Sequence, residues 1–425
     1  MTGSLEPTLD LEEASLRLDY QQPLRPGTEL YDRSYVERPR VEINNLLAEA
    51  RLASRQQRVF HWFFTGHTGS GKSTELNRIT TEAPFNDQYL PILIDLESEL
   101  DLSNFEYTDL ILLMGKHCAN RLEEISGSVP NHIAEAITLW GAEVLSEQTT
   151  STQTEGTAGL SVKIPFLSLG EEVKSGGAKR EIIRRTVAMK LVEFIDIVNQ
   201  LVTLLQEKTS LRVVCVIDGL DHADTEKCLH LFAGHYETLK RPQLSQIIVI
   251  PLTLLNSSFL PSIDRSYSTV PNIKVFTKPD SLRVDSSGLH FCKQVIESRG
   301  VHRNVFTRDS LRSLFVLSAG IVRDMIRNAS NACSYAKTDG KSRVSESHVE
   351  MVWNEVVRYY RRQLKTEHYE AIRKVRQTPY LQGIDGIPPL LHSKAIVFYP
   401  NGEGWYGVHP AVCRILDTGN APEHE

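Results

Sequence analysis

The sequence predicts an α/β fold built around a parallel β-sheet of five strands. An apolar run at residues 59–65 is followed by a glycine-rich loop and then by a helical pattern, which is typical of a strand, loop and helix unit. Residues 211–218 form an almost unbroken apolar run rich in β-branched residues, which suits a strand covered on both faces. Apolar runs at 89–95, 247–253 and 273–276 complete the predicted sheet.

Length and composition limit the kind of protein. A chain of 425 residues exceeds what one hydrophobic core organises, so two or three domains are expected. A formal net charge of -6 disfavours a protein that coats nucleic acid uniformly. The six cysteines form no C-x-x-C pair, which is the usage of a reducing compartment. Residues 1–19 contain no apolar segment, and the longest apolar run, 247–255, is too short to cross a bilayer, so we expect a cytoplasmic protein without a membrane partner.

A complete phosphate-loop motif, G-x-x-x-x-G-K-[ST], follows the first predicted strand. Glycines allow the backbone to curl so that consecutive N–H groups point at phosphate oxygens. Lys72 is expected to reach the β- and γ-phosphates and Ser73 to bind Mg²⁺, with Thr74 as an alternative to Ser73. The motif therefore predicts ATP or ADP with Mg²⁺ as cofactors, against the alternative of a chance glycine-rich turn. Its residues are Gly66, His67, Thr68, Gly69, Ser70, Gly71, Lys72 and Ser73.

The strand at 211–218 ends in a carboxylate. Asp218 is expected to lie near the phosphate loop, because the carboxyl ends of parallel strands meet at one edge of a sheet, and to hold the water shell of Mg²⁺. The alternative is an acid that merely ends a strand. The extra strand at 89–95 indicates the division of P-loop ATPases that carries an added strand. Many of these ATPases have a Glu where this chain has Gly219, and Asp221 is the nearest replacement as base, which predicts slow hydrolysis.

Further candidate contacts flank these motifs. Thr253, after the fourth predicted strand, could bond the γ-phosphate or serve as a simple cap. Arg265 suits an arginine finger offered to a neighbouring subunit, or an ordinary surface position. Tyr35 and Val36 occupy the position at which several P-loop families pack an aromatic and aliphatic pair on the adenine ring; the alternative is the start of a surface helix.

Two segments resemble known ATPase groups. Ile-Asp-Gly-Leu-Asp at 217–221 resembles the acidic motif of STAND ATPases, and 318–324 resembles the G-x-x-R second-sensor motif on the lid of AAA+ proteins, closest to origin-recognition-complex subunits. The second resemblance implies that Arg323 reaches the γ-phosphate; a surface salt bridge is the alternative. Residues 408–416 are similar to the Met-His-Asp segment of STAND winged helices, which implies that His409 contacts the diphosphate. Val408 and Pro410 replace Met and Asp, and a packed core histidine is the alternative.

The resemblance implies four segments. They are a flexible lead-in at 1–30, a P-loop ATPase core at 31–283, a helical lid at 284–340 and a winged-helix domain at 341–425. An insertion at about 145–178 interrupts the core, and its alternating pattern at 155–177 predicts a β-hairpin that decorates the surface or contacts a partner. Asn401-Gly402 predicts a second hairpin, the wing.

The motifs favour a slowly hydrolysing ATPase that acts as a conformational and assembly switch. Such a switch would form homo-oligomers on ATP binding and act on a separate protein effector or sensor, and the STAND resemblance suggests a defence or conflict setting. The alternative is an AAA+ loader or remodeller that binds DNA through the winged helix. A basic cluster supports DNA contact, whereas interspersed Glu355, Glu367 and Glu370 favour a solvated helix face. The cluster comprises Arg358, Arg361, Arg362, Lys365, Arg373, Lys374 and Arg376.

Overall fold

The chain folds into two compact units. A computed structural model describes residues 6–38, 41–146, 178–257, 266–277, 283–378, 381, 384–399 and 404–418. We call Met1–Ile43, Thr65–Ile79 and Thr269–Glu425 the terminal unit, and Asn44–Phe64 with Thr80–Ser268 the sheet unit. Within the described ranges, no helix combines the length and apolar character that a membrane span requires.

The five-stranded parallel sheet is confirmed. Its strands are β1 (His61–Thr65), β2 (Tyr89–Asp95), β3 (Arg212–Asp218), β4 (Ser245–Val249) and β5 (Tyr267–Thr269). The spatial order is β2-β3-β4-β1-β5, so the strand that lies between β1 and β3 is β4, whereas β2, the strand at 89–95 taken from the sequence as the added strand, lies at the edge of the sheet. Every residue of β4 and the inner five residues of β3 are buried, because apolar and β-branched side chains fit a strand covered on both faces.

Two strands differ from the predicted ranges. The fourth ends at Val249 instead of reaching residue 253, because Pro251 lacks an N–H and a 3₁₀ turn begins at Leu252. The fifth strand is Tyr267–Thr269, not residues 273–276. The backbone of Ile273 lies beyond Pro271 and donates instead to the carbonyl of Gly320 at 2.9 Å.

Helices cover the sheet. Those of the sheet unit are α3 (Val41–Arg55), which begins in the terminal unit, α5 (Leu96–Glu99), α6 (Tyr107–Ser126), α7 (Asn131–Ser146), α8 (Ala178–Met189), α9 (Leu191–Thr209) and α10 (Thr225–Leu239). The predicted single helix at 179–208 is two helices, α8 and α9, separated at Lys190. The predicted insertion hairpin at 155–177 lies outside the described residues.

The terminal unit gathers both ends of the chain. Its helices are α1 (Leu11–Arg17), α2 (Glu29–Ser34), most of α4 (Lys72–Thr81), α11 (Ser286–Ser298), α12 (Arg308–Leu317), α13 (Val322–Thr338), α14 (Glu346–Gln363), α15 (Thr366–Gln377), α16 (Ile387–His392) and α17 (Pro410–Asp417). The lead-in predicted to be flexible contains α1, which packs on α13: Ser15 Oγ lies 2.9 Å from Ser330 Oγ. Strands β6 (Ile396–Tyr399) and β7 (Trp405–Val408) form the predicted antiparallel hairpin, whose turn lies outside the described residues.

The packing of α6 on α9 generates a stability prediction. A Cβ on Gly115 of α6 would lie 2.6 Å from Phe194 Cζ of α9, so Gly115→Ala should lower the free energy of unfolding by about 1–3 kcal/mol through overpacking. Exposed Gly234 of α10 has no atom within 4 Å of such a Cβ, so Gly234→Ala should stabilise by up to about 1 kcal/mol through helix propensity. Urea unfolding of both variants measures the difference. Equal effects would contradict the close approach of α6 and α9.

Candidate functional site

The loop after β1 has a backbone that only glycine adopts easily. Gly66, Gly69 and Gly71 have φ angles of +147°, +88° and +101°. A Cβ on Gly66 would lie 2.8 Å from the carbonyl oxygen of Val270, and one on Gly69 would lie 2.8 Å from Arg323 Cβ. The three glycines are therefore required both by the turn and by the close approach of neighbouring segments.

The loop curls around the side chain of Lys72, the first residue of α4. This side chain is buried, and its Nζ donates to the carbonyl oxygens of Gly66 and His67, both at 3.0 Å. A cation inside a glycine curl at a helix N-terminus is a binding site for anions, since the helix dipole and the loop N–H groups add to the lysine charge. Ser70 Oγ is buried and has no hydrogen-bond partner among the described residues.

The two predicted hydroxyl ligands of Mg²⁺ have different surroundings. Ser73 is half-buried in the first turn of α4. Thr74 Oγ1 accepts a hydrogen bond from the backbone N–H of Leu24 at 3.2 Å. Thr74 is thus engaged with the N-terminal segment, which favours Ser73 of the two for a metal ligand.

A buried cluster of charged side chains around Glu75 of α4 lies next to the loop. Glu75, 1% exposed, accepts hydrogen bonds from Arg78 Nε and from the Tyr35 hydroxyl, both at 3.0 Å. Arg38 Nε lies 4.0 Å from the same carboxylate, and Arg38 Nη1 donates to the carbonyl of Ser70 at 2.6 Å. Burial lowers the pKa of Arg38, and the Glu75 charge opposes that shift. The N-terminal segment is therefore joined to the phosphate loop through Arg38.

The predicted base contacts lie just before Arg38. The ring of Tyr35 stacks on that of Tyr31, with centroids 4.9 Å apart, while its hydroxyl is bound to Glu75. Val36 is half-buried. These contacts place Tyr35 in the ion cluster; a role of Tyr35 or Val36 on an adenine ring stays a prediction.

The lid motif contacts the loop through its backbone. The N–H of Arg323, in the first turn of α13, donates to the carbonyl of Gly69 at 3.0 Å. The preceding turn needs Gly320, with φ of +77°, because a Cβ there would lie 1.8 Å from the carbonyl oxygen of Ile273. The predicted sensor residue thus begins its helix against the phosphate loop.

The hairpin contacts the loop through a histidine. His67 Nε2 accepts a hydrogen bond from the backbone N–H of Phe398 in β6 at 2.8 Å, and Asn272 Nδ2 donates to the carbonyl of Phe398 at 2.8 Å. Burial, reinforced by Lys394 and Lys72, lowers the pKa of His67 to about 3. The imidazole is therefore neutral near pH 7, and its Nε2 carries the lone pair that this bond requires.

His409 occupies a different position from His67. It is the N-cap of α17, where Nδ1 accepts from the backbone N–H of Ala411 at 3.2 Å, and its ring centroid lies 4.8 Å from that of Tyr360. Burial lowers its pKa to about 3. These are the contacts of a packed core histidine, the alternative weighed from the sequence, and its role on a diphosphate stays a prediction.

The carboxyl edge of the sheet carries acidic side chains. Asp218 pairs in register with Asp95, and its Oδ1 accepts from the N–H of Gly219 at 2.9 Å. The register also pairs Ile217 with Ile248 and Phe64 with Val249, so β1 and β3 end at the same level with β4 between them. Neighbouring strands are about 4.8 Å apart, which makes the lateral separation of the two strand ends about 10 Å.

A carboxylate–imidazole–carboxylate chain follows β3. Asp221 is buried in the 3₁₀ turn Leu220–His222, with its Oδ2 3.6 Å from His222 Nε2. His222 Nδ1 lies 2.6 Å from Glu97 Oε1. Gly219, with φ of +106°, has Glu97 N only 3.2 Å from where a Cβ would stand, so a Glu is poorly accommodated at that position. Asp221 was predicted from the sequence, whereas the pairing of His222 with Asp221 and with Glu97 was not.

Of the two remaining predicted contacts, one lies within the described residues. Thr253 is buried in the 3₁₀ helix after β4, and its Oγ1 lies 2.7 Å from Thr225 Oγ1 in the first turn of α10. Arg265 lies outside the described residues. Their roles as sensor and finger stay predictions.

The supporting residues were missed because their signals are weak in the sequence. Glu75 lies three positions after Lys72, so both residues are on the same face of α4. This spacing is the only sequence feature that could have indicated a role for Glu75. Arg38 and Asn272 show no local pattern, since their partners lie 32 and 126 positions away in the chain.

Comparisons with known proteins give similarities of fold at low sequence identity. No protein-family model and no curated protein matches the sequence. Drosophila ORC bound to DNA is similar at 13% identity and a TM-score of 0.42, covering 96% of this chain and 92% of that one. Aeropyrum pernix ORC1 in complex with DNA is similar at 14% identity and a TM-score of 0.40, covering 96% and 97%. The Thermotoga maritima RuvB Holliday junction branch migration motor is similar at 11% identity and a TM-score of 0.35, covering 89% and 95%.

The lowered pKa of His67 predicts a pH-dependent stability. Between pH 6.5 and about 3, the unfolded chain takes up a proton on this histidine and the folded chain does not, so this contribution to stability is fully present above pH 6.5 and is lost as the pH falls. For one such group the loss is about 1.4 kcal/mol per pH unit. His67→Asn should remove that part of the slope in urea unfolding, whereas His132→Asn, at an exposed position of α7, should leave it. An unchanged slope in His67→Asn would contradict a buried neutral imidazole.

Proposed function

We propose that this chain is an ATP-binding, slowly hydrolysing regulatory ATPase that works as a nucleotide-dependent conformational switch. One observation carries the proposal: the phosphate loop is bonded at three separate points to the N-terminal segment, the lid and the hairpin. These bonds are Ser70 O to Arg38, Gly69 O to Arg323 N and His67 Nε2 to Phe398 N. A change at the loop therefore reaches three parts of the terminal unit directly.

The loop residues give this switch its physical basis. The Lys72 ammonium donates to the carbonyls of Gly66 and His67, and a triphosphate in the curl would compete for the same donor. A ligand shifts a conformational equilibrium only through contacts that differ between states. His67 also accepts the hydrogen bond from Phe398 of the hairpin. If Lys72 withdraws from the His67 carbonyl, His67 loses one of its contacts, and the hydrogen bond to Phe398 is affected.

The predicted metal and base residues fit this chemistry. A half-buried hydroxyl at Ser73 and a carboxylate at Asp218 are hard oxygen donors, and Mg²⁺ is held by one or two such groups together with waters and phosphates. The metal would neutralise phosphate charge. Asp221, buried beside His222, is proposed to orient the attacking water, and its displacement from the usual position is consistent with slow turnover.

The remaining roles belong to the same proposal. We assign the γ-phosphate to Arg323 and Thr253, the adenine to Tyr35 and Val36, and the diphosphate to His409. Arg265 would act as a finger between copies of the chain, so that ATP binding drives assembly, and a separate effector or sensor protein would receive the output. The defence setting rests only on the STAND resemblance of residues 217–221 and 408–416.

Hydrogen exchange and calorimetry test the switch. Titration of the protein with ATP, ADP and a non-hydrolysable ATP analogue, with and without Mg²⁺, should show binding that Lys72→Ala abolishes. The Phe398 amide should exchange at different rates with ATP and ADP. In His67→Leu it should exchange about fivefold faster than in the parent and no longer respond to the nucleotide, because one hydrogen bond of about 1 kcal/mol is lost.

A matched variant separates coupling from general damage. His392→Leu, at an exposed position of α16 in the same unit, should leave both binding and the nucleotide response unchanged. Absence of ATP and ADP uptake by well-folded protein would overturn nucleotide binding. Uptake with identical Phe398 exchange in both nucleotides would overturn the switch while leaving the binding site intact.

A second candidate function is DNA binding through the C-terminal helices. Arg361 and Arg362 are exposed at the end of α14 and have no carboxylate partner among the described residues. Three other members of the basic cluster are paired, with Glu367 at 3.7 Å, Glu370 at 2.7 Å and Asp417 at 2.7 Å. Those pairs favour a solvated surface, and we rank this function second.

Fluorescence anisotropy with duplex DNA over a range of salt concentrations decides between the two functions. If DNA binds, Arg361→Ala should weaken it about equally for all sequences and lower the salt slope by about one. Arg303→Ala, at an exposed position outside the cluster, is the control. Absence of binding at low salt would remove this function.

A further inference from the structure

A cavity in the terminal unit lies between α13, α14 and the turn before β6. Its volume is about 290 Å³, at the small end of ligand sites. We propose that it binds one flat, uncharged heteroaromatic ring of the nucleobase class. The lining residues that carry this proposal are Asp324, Asn328, Asn331, Glu355, Tyr359 and Lys394.

The clearest sign of a ligand is a buried amide without a partner. Asn328 is 2% exposed and lines the cavity, yet its side chain makes no hydrogen bond with any described residue. Its amide atoms retain some exposure, so they are open to the cavity and available to a ligand. Asn331, one turn along the same face of α13, is half-buried and equally unpaired within the described part of the chain.

A carboxylate oxygen at the cavity can also accept a further hydrogen bond. Asp324 Oδ1 is buried and has no hydrogen bond among the described residues, although Arg327 Nη2 lies 3.0 Å from it without hydrogen-bond geometry. Asp324 Oδ2 accepts from Lys394 Nζ at 3.0 Å. Asp324, Asn328 and Asn331 stand at i, i+4 and i+7, so two amides and one carboxylate oxygen form a single stripe of donors and acceptors along α13.

The charges around the cavity favour an uncharged ligand. Asp324 is balanced by Lys394 and Arg327, and Glu355 accepts a hydrogen bond from the Tyr335 hydroxyl. Counted formally, two cations and two anions line the cavity. A free phosphate or a metal ion gains little from such a lining. Amide groups, which both donate and accept, match the edge of a base.

An aromatic ring at the cavity supplies the apolar contact. Tyr359 is 50% exposed, and its ring lies edge-on to that of Tyr360 at 5.3 Å. Tyr360 is buried, and its hydroxyl donates to the carbonyl of Lys394 at 3.2 Å. Tyr360 thus fixes the wall, while Tyr359 offers a ring on which a base can stack, a contact that every nucleobase can make.

Titration with nucleosides tests this site apart from the phosphate loop. Adenosine, guanosine, cytidine and uridine lack phosphates, and saturation-transfer NMR with up to about 10 mM of each, on the Lys72→Ala variant in which binding at the loop is expected to be lost, reaches weak complexes. At least one should bind. Asn328→Leu should weaken it at least about tenfold, and Tyr359→Ala should weaken it as well. The outcome is independent of whether ATP binds at the loop.

The same variants separate a ligand site from a structural role. Because Asn328→Leu removes a buried unpaired amide at similar volume, its thermal midpoint should equal or exceed that of the parent while binding is lost. Asn354→Leu, exposed on α14, should change neither. Absence of binding by all four nucleosides, or binding that survives both Asn328→Leu and Tyr359→Ala, would overturn the proposal. A fall in the midpoint of Asn328→Leu with binding retained would assign Asn328 to folding instead.

Discussion

The hydrogen bonds of one glycine-rich loop organise the terminal unit. Positive φ angles at Gly69 and Gly71 turn the backbone so that its carbonyls reach two other segments as well as Lys72. The Gly69 carbonyl accepts a hydrogen bond from the first turn of α13, the Ser70 carbonyl accepts one from Arg38, and the His67 ring accepts one from the hairpin. A Cβ on Gly69 would lie too close to Arg323, so the loop and its neighbours constrain each other. The glycine-rich loop is in this way a structural junction.

Both units bury ion pairs as well as apolar side chains. The sheet is covered by apolar side chains on both faces, which bury area without fixing direction. The sheet unit also buries Asp109 with Arg184, and the terminal unit buries Glu75 with Arg78 and pairs buried Asp324 with the half-buried Lys394. A buried ion is tolerated only with its partner in place, so such pairs contribute specific geometry more than stability. Directional contacts of this kind have discrete arrangements, which a nucleotide switch needs.

Local sequence patterns predicted a strand, loop or hairpin correctly where a single continuous segment contains the pattern. The first and third strands, the phosphate loop and the C-terminal hairpin are each marked by a continuous run or by a motif. The fifth strand was predicted a few residues too late. A strand of three residues shows no periodicity, and the prediction did not take into account that Pro271 disfavours a strand beyond it. The N-terminal helix α1 was not predicted, because its stability comes from packing on α13. The two residues in contact, Ser15 and Ser330, are 315 positions apart in the chain.

The sequence by itself determined the sheet class, the phosphate loop and the carboxylate that ends β3, because each depends on residues adjacent in the chain. Tertiary structure alone decided what surrounds the loop. His67 and Phe398 are 331 positions apart, and Arg38 reaches Ser70 from another segment, so no local pattern joins them. The same holds for the two histidines. His67 and His409 are equally buried and neutral. Only the packing around each determines that His67 accepts a hydrogen bond from the hairpin and that His409 caps a helix.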